Sequence, residues 1–232
     1  MFVRHRGRDE RMSTVSPRPA KPDIRQALVE AAAHLLAHEG PAALTTRRLA
    51  AEVGTSTMSV YTYFGSIRDV VREVVREGFD RLAGRLAAVP ITDDPVADLA
   101  NLTRVYRKSA LADPSLYAVM FGGSSIAGFQ LSEEDRAIGL RTLRTAVDCV
   151  RRCVETGRFR PTTDAWLVAR QLWCAVHGLV ILELGGYFSD EGSAERCLDA
   201  QLRDFPVGAG DTFEAANRSV TGQDSGAECL HR

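Results

Sequence analysis

Several features are absent from this 232-residue sequence, and each absence excludes a class of protein. No run of about 18 apolar residues occurs, because His177 and Glu183 interrupt the longest apolar stretch, Leu172 to Leu184. A membrane-spanning helix is therefore not expected, nor is a membrane partner. The N-terminal arginines are not followed by an apolar segment of about 7–15 residues, as an export signal requires. The expected compartment is the cytoplasm.

Catalytic and metal-binding patterns are also absent. The five cysteines form no CxxC pair, so reduced thiols are expected rather than a disulfide framework. His34 and His38 have the spacing of a zinc-binding pair, but no acidic residue lies between them to act as a general base. The sequence contains neither a nucleophile elbow nor a phosphate-binding glycine loop. We therefore expect no catalytic residue, no metal site and no cofactor.

Charge is distributed unevenly along the chain, although the formal net charge is only −1. Residues 1–76 carry twelve basic and eight acidic residues, whereas residues 77–232 carry seventeen basic and twenty-two acidic residues. A basic part within an otherwise acidic chain indicates a polyanionic partner for that part. The sequence therefore allows one end of the chain to bind DNA.

Apolar periodicity and capping residues predict an all-α protein. Proline-containing residues 1–22 are expected to be a disordered basic arm whose role is left open. Residues 23–68 form three short helices and the start of a fourth, residues 69–204 form a helical body, and residues 205–232 form a flexible tail. The predicted helices cover residues 24–39, 46–53, 57–63, 67–88, 95–112, 114–121, 132–156, 164–188 and 192–203. No segment shows the alternation of a strand.

The most informative segment lies between the second and third helices. Thr45 and Ser56 are predicted to cap these helices, and Gly54 provides the tight turn that joins them at a steep angle. Leu49 and Val60 would fill the space between the two helices. The third helix would then present small hydroxyl-bearing residues outward, where they could meet base edges in a major groove.

Taken together, this segment resembles the DNA-binding head of the tetracycline-repressor (TetR) family of bacterial transcriptional regulators. The resemblance covers residues 24–70 and rests on matching spacing at Thr45, Leu49, Ala50, Gly54, Ser56, Val60, Tyr61, Tyr63, Phe64 and Ser66. It implies a three-helix head, a helical ligand-binding body, and a homodimer that acts on palindromic double-stranded DNA. A small hydrophobic effector of unknown identity is the implied ligand.

The resemblance also implies roles for individual residues. Thr45 and Tyr61 would contact phosphates, Thr57 and Met58 would face bases, and Tyr63 would lie near the DNA backbone. Arg47, Arg48 and Arg68 lie near helix N-termini, where they could contact phosphates. The complete candidate DNA-binding set is Thr45, Arg47, Arg48, Ser56, Thr57, Met58, Ser59, Tyr61, Thr62, Tyr63 and Arg68. Met58 is larger than the residue usual at this position, so the base preference cannot be derived.

The helix at residues 164–188 is apolar on nearly every face between Leu172 and Leu184. Such a helix must be covered on all sides, which predicts a second subunit packed against it. The predicted dimer interface comprises Val176, Gly178, Leu179, Val180 and Leu182. The sequence around Trp173, His177 and Gly178 also resembles the Trp-His-Gly signature of one C-terminal subclass of the family.

Aromatic residues and a methionine cluster in the body, where they could line an apolar ligand pocket or fill the core. The candidate pocket residues are Tyr106, Tyr117, Met120, Phe121, Phe129, Trp166, Trp173 and His177. His177 could be a hydrogen-bonded core histidine or a ligand-sensing group.

The function that combines these features is a dimeric, ligand-responsive repressor of transcription, although repression itself is a family expectation that the residues do not reveal. Two other functions are compatible with a helical chain: an all-α enzyme, which would need a converging polar site, and a protein-interaction module. Steep salt dependence of binding would distinguish DNA binding from the interaction module.

Overall fold

The computed structural model describes residues 23–121 and 130–222. Every regular element in these ranges is helical. The ten α-helices are α1 (Ile24–His38), α2 (Thr46–Val53), α3 (Thr57–Phe64), α4 (Ile67–Ala87), α5 (Pro95–Ala112), α6 (Pro114–Met120), α7 (Glu133–Glu155), α8 (Ala165–Leu184), α9 (Ser193–Ala209) and α10 (Phe213–Thr221). A short 3-10 helix, Pro41–Ala43, joins α1 to α2.

The first three helices and the start of α4 form a small head. Leu35 of α1, Leu49 of α2 and Val60 of α3 are completely buried, and Val70 of α4 joins them in one apolar core. Helices of only eight residues, such as α2 and α3, bury too little surface to be stable alone, so this shared core holds them in place. The predicted basic arm, residues 1–22, lies outside the described residues.

The remaining helices form the body, with α4 running from the head into it. Helix α7 packs against α4, α5 and α8, while the short α6 lies against both α1 and α4. The same apolar core extends from the head into the body through Val74, Phe79 and Leu86 on the inner face of α4. Because α4 is a continuous helix, a shift in the body can move the head.

The prediction of a flexible tail beginning at residue 205 is wrong for residues 205–221. Helix α9 continues through Pro206 to Ala209, and α10 then packs against α5 and α9. Sequence periodicity missed α10 because its buried face consists of little more than Ala216 and Val220. The rest of the predicted tail, residues 223–232, lies outside the described residues.

A polar network fixes α10 to the body. Arg158 donates to both carboxylate oxygens of Asp211, at 3.0 and 2.6 Å, and to Asp94 Oδ1 at 3.0 Å. Ser219 of α10 donates to Asp94 Oδ2 at 2.6 Å. Burial alone would raise the pKa of Asp94, but the hydrogen bond from Ser219 and the charge of Arg158 bring this pKa below its ordinary value. Long-range charge pairing thus replaces the apolar contacts that α10 lacks.

We expect Arg158→Met to lower the free energy of unfolding by about 2–4 kcal/mol, because the 4 % exposed Asp211 carboxylate would lose its partner. Chemical denaturation measures this change. Arg151→Met is the matched control, since Arg151 pairs with Asp148 on the open surface and should cost under about 0.5 kcal/mol. Equal effects of the two substitutions would show that the network does not stabilise α10.

By length and composition alone, helix α8 is long and apolar enough to cross a membrane. In the protomer, 28 % of its most apolar stretch is buried. His177 and Glu183 interrupt the apolar run without making the whole helix too polar by this measure. In the structure α8 packs against α5, α7 and α9 on one side. Its other side is left uncovered in the single chain.

Candidate nucleic-acid interface and ligand cavity

The turn between α2 and α3 has the geometry that the sequence predicts. Gly54 adopts a left-handed conformation with φ of +69°, which a β-carbon would oppose. The backbone N–H of Thr55 then donates to the carbonyl of Ala50 at 2.9 Å, closing the turn. Thr45 and Ser56 cap α2 and α3 by accepting from the backbone of Arg48 and Ser59. These local interactions fix the direction in which α3 leaves the turn.

Helix α3 exposes five of its eight residues to solvent. Of its eight residues only Val60 is buried, and it anchors the helix in the head core. Met58 is 69 % exposed and Tyr61 is 52 % exposed, so two large side chains of this short helix are open to solvent. Thr57, Thr62 and Tyr63 are exposed on the same helix. The helix is therefore free to contact a partner along its outward side.

Several other predicted DNA-binding residues surround this helix. Thr45, Arg47, Ser56 and Arg68 are exposed near the N-termini of α2, α3 and α4. The first turn of a helix carries unpaired backbone N–H groups and the positive end of the dipole, both of which favour phosphate. The positions of these residues fit backbone contacts on either side of α3.

Several members of the predicted set already have partners within the head, including the capping hydroxyls of Thr45 and Ser56 and the Thr62 hydroxyl, which donates to the Met58 carbonyl at 2.9 Å. The Ser59 hydroxyl accepts a hydrogen bond from Thr55 Oγ1 at 2.8 Å and lies 3.1 Å from Ser56 Oγ. It therefore faces the loop between α2 and α3 rather than solvent. The Arg48 guanidinium lies 2.8 Å from Glu39 and 3.5 Å from Glu52. The carboxylates of Glu39 and Glu52 offset the positive charge of Arg48, so this side chain attracts a phosphate less strongly.

Six of the eight predicted pocket residues come together in the body. Phe121 lies at the centre of the group, with ring centroids 4.8 Å from Tyr117, 4.9 Å from His177 and 6.1 Å from Trp173. Tyr106 packs against the same ring, and Met120 is buried nearby on α6. Their clustering arises because α5, α6 and α8 all direct aromatic residues toward the middle of the body.

The other two predicted pocket residues differ. Trp166 packs near Leu143 and Val147, and the Arg170 guanidinium lies over its ring, 5.4 Å from the centroid. The assignment of Trp166 to the pocket stays a prediction. Phe129 lies outside the described residues.

A chain of hydrogen bonds runs through the aromatic group. Trp173 Nε1 donates to the Tyr106 hydroxyl at 3.1 Å, and the Tyr106 and Tyr117 hydroxyls are 3.0 Å apart. The Tyr117 hydroxyl lies 2.5 Å from His177 Nδ1. Indole can only donate, so Trp173 donates to Tyr106. His177 Nδ1 also lies 3.2 Å from the Tyr106 hydroxyl, and either tyrosine can be the donor between the two hydroxyls. Tyr106, Tyr117 and His177 therefore form one hydrogen-bonded cluster.

Burial favours the uncharged form of each titratable group in this cluster. Burial raises the pKa of Tyr106 to about 12, although hydrogen bonds from Tyr117 and Trp173 oppose the rise. Burial also raises the pKa of Tyr117 and lowers the pKa of His177. At neutral pH the whole group is therefore uncharged.

A cavity of about 50 Å³ lies on one side of Tyr106, enclosed by α4, α5, α7 and α8. Its wall is mostly aliphatic, including Leu86, Leu102, Leu143 and Leu172, together with Trp173. The sequence could not distinguish these leucines from ordinary core residues because both occur at the same helical spacing. Tyr106 and Trp173 are the predicted residues that line the cavity and also belong to the hydrogen-bond chain.

The predicted dimer residues fall on two sides of α8. Val176, Leu179 and Val180 are buried within the protomer, so their assignment to the interface is wrong. A helix that is apolar on every face gives no sequence signal for which side faces its own core. Gly178 and Leu182 are exposed, in line with Leu167, Cys174 and Ile181. These five residues define the outer face of α8.

Within the described residues, no three His, Cys, Asp or Glu side chains are grouped closely enough to hold a metal ion. His34 and His38 stack at 4.2 Å on the head, and His38 Nδ1 contacts the carbonyl of His34. This local contact accounts for the spacing of the pair.

A solvent-exposed helix at the end of a helix-turn-helix, joined to a helical body with an internal cavity, defines a DNA-binding regulator. Residues 28–74 match the family of bacterial regulatory proteins described as tetR, and residues 99–205 match the tetracyclin repressor-like C-terminal domain. The chain belongs to the TetR family of helix-turn-helix transcriptional regulators. Regulators of this family are soluble proteins that bind DNA and dimerise. These matches do not assign the chain to the Trp-His-Gly subclass.

Individual relatives agree with the family. The uncharacterised HTH-type transcriptional regulator Rv0681 of Mycobacterium tuberculosis is 30 % identical over 189 residues, which cover 80 % of this chain and 81 % of that protein. The HTH-type transcriptional repressor KstR2 of Mycolicibacterium smegmatis is 29 % identical over 66 % of this chain and 76 % of its own. A solved structure from Rhodococcus sp. RHA1 has the same fold, with a TM-score of 0.71, 23 % identity, and coverage of 82 % of this chain and 97 % of the other.

Proposed function

We propose that this regulator is a cytoplasmic homodimeric repressor that binds a palindromic operator and leaves it when a small apolar effector enters the body. The observation that carries the proposal is the exposure of α3, which buries Val60 and presents Met58, Tyr61 and Tyr63. In a twofold dimer two such helices would enter successive major grooves about 34–36 Å apart. Selection of bound sequences from random duplex DNA tests this proposal, and a palindrome is the expected product.

The outer face of α8 supports the dimer. Leu167 is 53 % exposed, Ile181 is 49 % exposed and Leu182 is 46 % exposed, so large apolar side chains of α8 face solvent in the single chain. Gly178 on the same face costs helix stability, yet no atom of the protomer lies within 4 Å of where its β-carbon would be. A partner helix that crosses closely at Gly178 accounts for both features.

Helix α6 supports the coupling of effector and DNA. The Tyr117 hydroxyl of α6 is hydrogen-bonded to His177 of α8. The Ser115 hydroxyl of α6 donates a hydrogen bond to the carbonyl of Ala37 in α1 at 3.1 Å. Met120 of α6 lies so close to Gly78 of α4 that a β-carbon there would come within 2.7 Å of the Met120 sulfur. A change at the aromatic group therefore reaches the head through α1 and α4. An effector that prefers the shifted arrangement would lower DNA affinity by differential binding.

Arg47 and Arg48 provide a matched test of the proposed phosphate contacts. We expect Arg47→Ala to weaken DNA binding about three- to tenfold and to reduce the salt slope by about one ion. Arg48→Ala should change affinity less than about threefold, because Glu39 and Glu52 already offset the Arg48 charge. Fluorescence anisotropy at several salt concentrations measures both effects. A larger loss for Arg48→Ala would contradict this assignment.

An enzymatic function has less support. The hydrogen-bond chain from Trp173 to His177 lacks a nucleophile with a lowered pKa and a carboxylate partner for the imidazole. The family is one of transcriptional regulators, and the geometry of the described body suits ligand binding better than catalysis.

A further inference from the structure

Asp135 is a completely buried carboxylate in the first turn of α7. Its Oδ2 accepts a hydrogen bond from the backbone N–H of Ser132 at 3.0 Å and a longer one from Arg72 Nε at 3.4 Å. Its Oδ1 lies 3.9 Å from Arg76 Nε, close enough for charge attraction but too far for a hydrogen bond. Both arginines belong to α4, so Asp135 ties the start of α7 to the helix that leads into the head.

This carboxylate is ionised at neutral pH. Burial alone would raise its pKa, but the hydrogen bonds with Ser132 and the positive charge of Arg72 bring the pKa of Asp135 below its ordinary value. A buried charge that loses its partner costs free energy, because no water replaces the lost contact. Asp135 therefore resists any movement of Arg72 and Arg76 away from the start of α7.

One branch of contacts leads from Asp135 to the beginning of α4. The Arg72 guanidinium also lies 2.6 Å from Asp69 Oδ1, and Asp69 Oδ2 accepts a hydrogen bond from the Ser66 hydroxyl at 2.6 Å. Ser66 caps α4 and directly follows Gly65, the residue at which α3 ends. This branch therefore reaches the C-terminal end of α3.

A second branch reaches the same end of α3 through α1. Arg76 lies 3.2 Å from one carboxylate oxygen of Glu73, and the other oxygen lies 2.8 Å from Arg25 of α1. The Arg25 guanidinium in turn lies over the Phe64 ring, 5.2 Å from its centroid. Phe64 is the last residue of α3 and packs against the core. The two branches thus end on either side of Gly65.

We propose that Asp135 is a positioning residue for DNA binding, which sets the direction of α3 from the body by holding the two branches that end at Phe64 and Ser66. Only Val60 of α3 is buried, so contacts at the C-terminal end of this helix have a large influence on its direction. Asp135 is itself too deeply buried to touch DNA. The inference rests on the proposed function, in which α3 enters the major groove, and its route through α7 is separate from the route through α6.

Asp135→Asn tests the inference, because it keeps the size of the side chain and removes its charge. We expect binding of the selected DNA to weaken about fivefold or more, since a head that is no longer held in one direction is competent to bind for only part of the time. General electrostatics predicts the opposite sign, because the loss of a negative charge favours contact with phosphates. Fluorescence anisotropy on the full chain measures the change. An affinity equal to that of the wild type would overturn the inference.

Asp98→Asn is the matched control. Asp98 is 3 % exposed on α5 and lies 2.7 Å from Arg152, so this substitution also removes one buried, arginine-paired carboxylate and one negative charge. The other partner of Asp98 is Thr92, which lies in the body before α5. We expect DNA affinity to stay within about twofold of the wild type, because distant sites are not coupled. Equal losses in the two variants would show that lost stability, rather than the direction of α3, weakens binding.

Fluorine NMR of the full chain labelled with 3-fluorotyrosine reports on α3 directly. Tyr61 and Tyr63 are exposed on α3, and Tyr187 is an exposed reporter in the body. We expect the Tyr63 resonance, next to Phe64, to shift or broaden in Asp135→Asn and to stay in place in Asp98→Asn, with Tyr187 unchanged in both. A purely stabilising role of Asp135 would leave the Tyr61 and Tyr63 resonances of the folded chain unmoved, and that result would contradict the inference.

The wild-type chain separates failure of this inference from failure of the proposed function. A wild type that selects no DNA would contradict the proposed function. A wild type that binds a palindrome, together with an Asp135→Asn variant that binds it equally well, would contradict only the positioning role of Asp135.

Discussion

Met58→Glu is expected to weaken operator binding at least about 100-fold while leaving the fold intact, because like charges at an interface cost several kcal/mol. Met58 is 69 % exposed on α3, so the substitution disturbs no packing in the free protein. On DNA, the new carboxylate would lie in a groove lined by phosphates, where it is repelled. Anisotropy of a labelled operator measures the loss.

The control for this substitution is Ile91→Glu. Ile91 is 82 % exposed in the connection between α4 and α5, so it undergoes the same change of an exposed apolar side chain to a carboxylate. If the effect depends on location in the groove, Ile91→Glu should change affinity less than about threefold. Comparable losses in both variants would mean that general charge, rather than α3, governs binding.

Ile181→Arg is expected to convert the dimer to a monomer, raising the dimer dissociation constant at least about 100-fold because an unpaired charge would be buried at the interface. Ile181 lies on the outer face of α8, half exposed in the single chain, so the monomer should keep its fold and its thermal transition. Sedimentation velocity measures the oligomeric state, and affinity for the palindrome should fall with it.

Phe213→Arg is the matched control for the dimer, since Phe213 is 56 % exposed on α10 rather than on α8. It should leave the sedimentation profile unchanged. If the dimer survives Ile181→Arg but is lost in Phe213→Arg, the interface lies on α10 and not on α8.

The head could be predicted from the sequence because its signals are local. Thr45 determines where α2 begins, Gly54 where it ends and Ser56 where α3 begins, through interactions between residues no more than five apart. Capping and left-handed glycine depend on residue type, so they can be read without knowing the rest of the fold. The bounds of α2 are the same in prediction and structure, and α3 extends one residue further.

The body was less predictable because its determinants are distant in sequence. Arg158 holds the segment that leads into α10 by pairing with Asp211, which is 53 residues away in the sequence. No local sequence pattern predicts that pair. The side of α8 that faces the core also depends on where α5, α7 and α9 pack. The aromatic side chains could be recognised as a group, but the leucines that complete the cavity could not.

Operator recognition requires the two α3 helices of a twofold dimer to contact duplex DNA. The most direct measurement is selection of sequences from random duplex DNA by the full chain, followed by hydroxyl-radical footprinting of the selected site. We expect a palindrome whose two half-sites are protected on one face of the duplex, about one helical turn apart or a multiple of it, with protection lost in Met58→Glu. Selection that enriches no sequence, or protection that persists in Met58→Glu, would contradict the account.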